Sequence, residues 1–90
     1  MAAAEFVVTG VVQGVGFRWY ARRQATALGL KGWVRNRSDG SVHALAQGDE
    51  SALARFSAAL RQGPPSSVVE TVVRTDASHN ENYESFEVTG

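Results

Sequence analysis

The chain has 90 residues, no cysteine, and nine basic against nine acidic side chains. That length suits one domain over residues 1–90, with no room for a second core. Absence of cysteine excludes disulfides, thiolate metal sites and cysteine nucleophiles, and a balanced charge argues against sequence-independent nucleic-acid binding, which needs a basic surface.

In chain order, the opening Met-Ala-Ala-Ala-Glu-Phe has neither the basic n-region nor the apolar h-region of a signal peptide. No apolar run approaches membrane-spanning length, so a cytoplasmic protein that avoids membranes is expected. Residues 5–12 carry β-branched and aromatic side chains and predict a buried strand. The stretch Gly10-Val11-Val12-Gln13-Gly14-Val15-Gly16-Phe17-Arg18 then leads into a helix-like run. Its three glycines permit φ > 0 and let backbone N–H groups crowd inward. A helix N-terminus just downstream adds a partial positive charge, and Arg18 adds a planar fork of donors suited to phosphoryl oxygens.

Most glycine-rich turns between strands and helices are only turns. Position 19 is Trp, so no dinucleotide fingerprint is completed, and no Gly-Lys-Ser/Thr closes a nucleotide-binding loop. By itself the loop favours phosphate binding only slightly.

Phe17, Ala21, Ala25 and Leu28 recur at helical spacing and predict an amphipathic helix over 17–28, ended by Gly29 at C′. Residues 31–37 and 41–47 predict two strands joined by Arg37-Ser38-Asp39-Gly40, where Asp-Gly is a hairpin signal. Asp49 is the expected cap of a second helix over 50–61, with Leu53, Phe56 and Leu60 as its apolar stripe. Gly63-Pro64-Pro65 stops it. Residues 68–75 predict a strand, 76–83 a polar loop, and 85–89 a last half-exposed strand alternating Phe86 and Val88 with polar neighbours.

The order β-α-β-β-α-β plus a short final strand is an α+β, ferredoxin-like split βαβ pattern, with two helices on one face of an antiparallel sheet. That fold hosts enzymes, RNA binders and regulatory domains, so function must be read from a site. Arg18, Arg22, Arg23, Lys31, Arg35 and Arg37 fall within 20 residues with no acid between Glu5 and Asp39, a local field that attracts a small anion. Arg22 and Arg23 are expected to point outward from the helix. With only His43 and His79, a metal site would need carboxylate partners that no motif supplies, so no metal is expected. His43 is expected on a strand face, and His79 in the polar loop is given no role. On composition alone Asn36, at a strand end, reads as a turn former.

A second motif follows the first: Gly32-Trp33-Val34-Arg35-Asn36-x-x-x-Gly40-x-Val42, with Gly48 six residues on. Together with Val8-x-Gly10-x-Val12-Gln13-Gly14-Val15-x-Phe17-Arg18, it resembles the two signature motifs of the acylphosphatase family, and the resemblance extends over nearly the whole chain. It implies an enzyme hydrolysing the carboxyl–phosphate bond of acyl phosphates without metal or cofactor. Arg18 and Asn36 fall on the family's catalytic positions. Its phosphate cradle falls on the backbone of Gln13, Gly14, Val15, Gly16, Phe17 and Arg18. The implied partners are a small acyl phosphate substrate and inorganic phosphate as product or inhibitor, with no nucleic acid or membrane and a monomeric state.

The ending Phe-Glu-Val-Thr-Gly lacks the aromatic terminus of some members, which leaves a C-terminal contact with the site open. Trp33 and Phe17 are expected in the core and Val15 as a loop-shaping residue, while Arg37 and Ser38 read either as orienting groups near Asn36 or as hairpin-turn formers. A phosphate-binding regulatory domain and an RNA-recognition module are the rival readings of the fold. The absence of aromatics in 41–47 argues against the latter. A third is an acylphosphatase-like domain within a larger maturation protein.

Overall fold

The computed structural model describes residues 2–78 and 82–90, so His79 lies outside the described residues. The elements are β1 (Ala2–Val11), α1 (Phe17–Ala27), β2 (Lys31–Asn36), β3 (Val42–Gly48), α2 (Glu50–Gln62), β4 (Val68–Ala77) and β5 (Phe86–Val88). The strands form one sheet in the order β4-β1-β3-β2-β5. The first four pair antiparallel, as the split βαβ pattern requires, whereas β5 pairs parallel to β2 and makes the sheet mixed.

Alternation along the strands sorts the two faces. Phe6, Val8, Val34, Val42, Ala44 and Ala46 are buried beneath the helices, while Glu5, Val7, Trp33, Arg35, His43 and Leu45 occupy alternate positions. Helix α1 buries Phe17, Ala21 and Ala25 at four-residue spacing, and α2 buries Leu53, Phe56 and Leu60. Phe56 sits where the layers meet, edge-on to Phe6 (5.3 Å between centroids) and to Phe86 (5.7 Å). Such pairs add about 0.5–1.5 kcal/mol beyond the area they bury. Tyr20 ties the helices by donating its hydroxyl to Ala59 O at 2.8 Å, and burial pushes this phenol above its ordinary value.

Several expectations shift by a few residues. Strand β1 begins at Ala2 because Ala2, Ala3 and Ala4 are laddered opposite Gly48, Gln47 and Ala46, pairing that overrides alanine's weak strand preference. Strand β4 runs on to Ala77, so part of the expected polar loop is sheet. Strand β5 alternates as expected, with Phe86 2% exposed against Phe56 of α2 and Glu87 exposed. Trp33 is a correction in the other direction: it lies half-buried on the helix-free face, edge-on to His43, with the Arg35 guanidinium 4.8 Å from its ring centre. Helix α1 ends at Gly29 as expected, where Leu30 N–H donates to Ala25 O and Gly29 N–H to Thr26 O. Those are the two bonds of a Schellman motif.

Replacing Phe56 removes a fully buried ring and both aromatic contacts. Phe56→Ala should lose about 3–5 kcal/mol of unfolding free energy, read as a lowered urea midpoint with an unchanged denaturant slope.

Candidate active site

Strand β3 lies between β1 and β2 and runs antiparallel to both, so β1 and β2 are parallel and finish at the same end of the sheet. Val42, the first residue of β3, faces Val8 in one ladder and Asn36 in the other. Cross-strand partners share a face, so Asn36 stands on the side of buried Val42, beneath the helices. Strand β5 brings the chain's last residues to the same end. Thr89 N–H donates to Val34 O at 2.8 Å, and Asn36 N–H donates to an oxygen of Gly90 at 3.4 Å.

Strand β1 leaves the sheet through a register shift at Thr9/Gly10. Gly10 has φ 124°, and a Cβ there would lie 2.1 Å from Val68 O, so only glycine fits against β4. Gly14 and Gly16 have φ 74° and 77°, with open space where a Cβ would stand. Their requirement is one of backbone conformation. Left-handed residues in a short turn are the element from which anion-binding nests of N–H groups are built.

Gly16 is the N-cap of α1, with no side-chain capping bond and no acidic residue in the first turn. First-turn N–H groups lack intrahelical acceptors, and here no side chain substitutes. The positive end of the helix is left for an external anion. Helix α2 differs: Glu50 stands in its first turn, although Asp49, the expected cap, occupies the N-cap position without a side-chain bond. Glu50 is instead gripped by both Arg74 Nη atoms at 2.8 and 2.7 Å, which holds its carboxyl below the usual range.

Arg18 projects from the first turn of α1, and its Nη1 donates to the Gly90 oxygen at 2.9 Å. One oxygen therefore accepts from both Arg18 and the Asn36 main chain. A guanidinium has five N–H donors, so most of the fork is uncommitted by that bond. The Asn36 side-chain Oδ1 is buried and has no hydrogen-bond partner among the described residues. A buried acceptor left unpaired costs about 1–3 kcal/mol.

Gln13 closes the arrangement. Its Nε2 donates to Arg37 O at 2.7 Å and to Ser41 O at 2.9 Å, tying the glycine loop to the β2–β3 hairpin. The hairpin is braced by Arg37 N–H to Ser41 O (2.9 Å) and Gly40 N–H to Arg37 O (3.2 Å). Asp39 Oδ1 accepts from the Ser41 hydroxyl at 2.6 Å and the Ser41 N–H at 2.9 Å, and these bonds hold its carboxyl below its ordinary value.

Of the residues singled out in the sequence, loop residues 13–16, Phe17, Arg18 and Asn36 lie at one end of the sheet. Phe17 is 1% exposed and belongs to the core, so only its main chain is available to a ligand. Val15 packs on the core from the loop. Arg37 contributes its carbonyl, as does Ser41, whose part went unnoticed because a main-chain acceptor leaves no mark on residue type. The Gly90 contact answers the question left open about the C-terminus. Arg22 is exposed, yet its Nε donates to Phe86 O at 3.2 Å. His43 Nε2 lies 2.7 Å from Glu5 Oε1 on the far face of the sheet, apart from this cluster.

Residues 4–88 match the family model described as Acylphosphatase. A Thermotoga petrophila protein named acylphosphatase is 49% identical over 88 residues, covering 98% of this chain and 97% of the relative. One from Archaeoglobus fulgidus, with the same name, is also 49% identical and covers 98% of both chains. Among solved structures, an acylphosphatase from Bacillus subtilis matches with a TM-score of 0.96 at 39% identity over all of both chains.

The hairpin brace predicts a pH effect. A carboxyl whose folded pKa is depressed adds stability above its unfolded pKa, near the ordinary 3.8, and loses it as pH falls through the folded value. Asp39→Ala should therefore lower the melting temperature at pH 7 but converge on the parent protein in strong acid. An equal deficit at both pH values would show that ionisation plays no part.

Proposed function

The chain belongs to the acylphosphatase family and is a hydrolase acting on acyl phosphates, and we propose that it does so through Arg18, Asn36 and the main chain of residues 13–18, by direct attack of water on phosphorus. What carries this reading is the buried, partnerless Asn36 Oδ1 at the same end of the sheet as an uncapped helix N-terminus and an arginine.

An acyl phosphate is a mixed anhydride whose leaving group is a carboxylate, with a conjugate-acid pKa of about 4.3 if it resembles Glu. It departs as an anion and needs no general acid, which suits a site built without Asp, Glu or His at either catalytic position. Binding the phosphoryl group, stabilising its spread charge and aiming a water remain to be done. The N–H groups of Gln13, Gly14, Val15, Gly16, Phe17 and Arg18 and the Arg18 guanidinium take the first two tasks. Asn36 takes the third, because a carboxamide oxygen accepts a hydrogen bond from the water's O–H and so orients its lone pair. It does not deprotonate the water. The P–O bond to water forms as the P–O bond to the acyl oxygen breaks, and the electron pair leaves with the carboxylate. The water's proton passes to solvent or to the departing phosphate. No phosphoenzyme and no metal is required.

Inorganic phosphate shares the phosphoryl oxygens of the substrate and is expected to inhibit as product. No helix among the described residues is long and apolar enough to cross a membrane. We place the protein in the cytoplasm and propose that it acts as a monomer.

The test is hydrolysis of benzoyl phosphate with chelator present, compared with p-nitrophenyl phosphate. The first should be cleaved rapidly and the second barely. Arg18→Ala should lose more than the roughly 10²–10³-fold typical of one oxyanion donor. Arg18→Lys should fail similarly, since a point charge cannot form the fork. Near-normal turnover in both Arg18→Ala and Asn36→Ala would overturn the assignment.

A further inference from the structure

We propose that the Gln13 side chain is a positioning residue for hydrolysis, fixing the distance between the phosphate cradle and the Asn36 carboxamide. The proposal rests on the assignment of Arg18 and Asn36 above. The cradle and Asn36 belong to different chain segments, the β1–α1 loop and the end of β2. In-line attack needs the water held by one to meet the phosphorus held by the other, and a misplacement of about 1 Å can cost roughly 10²-fold in rate.

Gln13 spans that gap. Both of its bonds end on hairpin carbonyls, at Arg37, one residue after Asn36, and at Ser41, one residue before Val42. Val42 is the residue that faces Asn36 in the ladder. The carboxamide therefore grips both arms of the hairpin one step from the Asn36–Val42 pair, on its turn side. Each carbonyl also accepts a hairpin N–H, from Gly40 and from Arg37 respectively, so the tie lands on a braced platform. The amide is charge-neutral and supplies two donors from one nitrogen. A carboxylate in its place would face two carbonyl oxygens with no proton to share.

Phosphate contacts lie within the loop and the first turn of α1, whereas water placement depends on the loop and hairpin keeping register. Losing the tie should thus slow turnover while leaving phosphate affinity nearly unchanged. The experiment measures kcat and KM for benzoyl phosphate, and inhibition by inorganic phosphate, in Gln13→Met, Gln13→Asn, Asn36→Ala and the Gln13→Met/Asn36→Ala double variant. Thermal melts identify the folded variants.

Gln13→Met, which keeps length and removes both donors, should lower kcat by about 10–100-fold with an almost constant phosphate inhibition constant. Gln13→Asn keeps the amide but is one methylene short of both carbonyls, so its loss should be intermediate. The double variant should be no slower than Asn36→Ala, because register has no value once the water-holding group is gone. The proposal is overturned if Gln13→Met weakens phosphate inhibition as much as it lowers kcat, if the two losses multiply in the double variant, or if Gln13→Asn equals the parent. Multiplied losses with Asn36→Ala impaired leave the active-site assignment standing and remove only Gln13's role. Parental turnover in Asn36→Ala overturns both.

Discussion

Val42 is laddered between Val8 and Asn36, and the gathering of the glycine loop, Arg18 and Asn36 at one end of the sheet depends on that double pairing. Two strands antiparallel to a common neighbour must run parallel to each other. Their carboxyl ends are then forced together, although 25 residues of sequence separate Val11 from Asn36. A one-residue slip in either ladder would turn every side chain on that strand to the opposite face. In β2 such a slip would carry Val34 out of the core together with Asn36, so burial of Val34 and placement of Asn36 are enforced by the same register. The site is kept in place by the full cohesion of the sheet.

Around that frame two buried side-chain atoms among the described residues lack a hydrogen-bond partner, Asn36 Oδ1 at this end and His43 Nδ1 on the far face. Helix α1 begins at a left-handed glycine with no side-chain cap and no acid in its first turn. Asn36 keeps a buried acceptor empty of protein partners. Other polar groups are paired within the protein: Ser41 with Asp39, Arg74 with Glu50, Tyr20 with Ala59. A buried unpaired acceptor lowers stability by about 1–3 kcal/mol, which a domain with net stability of the order of 5–15 kcal/mol can bear only in a few places. The Gly90 oxygen shows how one acceptor can hold the arginine and the strand end together.

Much of this was legible beforehand, for identifiable reasons. Helical spacing of Phe17, Ala21 and Ala25 and of Leu53, Phe56 and Leu60 located both helices, and Gly29 and Gly63-Pro64 located their ends, because these signals act within a turn or two of chain. The glycines of the loop were legible as well, since positive φ is a local demand that few residue types meet. Asn36 was not, on local grounds: an asparagine at a strand end looks like a turn former, and its significance came only from the resemblance to a family pattern. Trp33 misled because size and aromaticity predict burial, while its side of the pleat put it on the open face.

Sequence by itself determined the elements, their order, the loop's capacity for left-handed backbone and the residue types available to chemistry, because each depends on interactions within a few residues. Tertiary structure alone decided that β5 runs parallel to β2 and carries Gly90 to Arg18 and Asn36, and that Gln13 reaches two carbonyls of a hairpin 24 and 28 residues away. It also decided that the oxygen of Asn36 is left without a protein partner. Those outcomes depend on main-chain acceptors and on which strands become neighbours, and neither is written in the identity of any single residue.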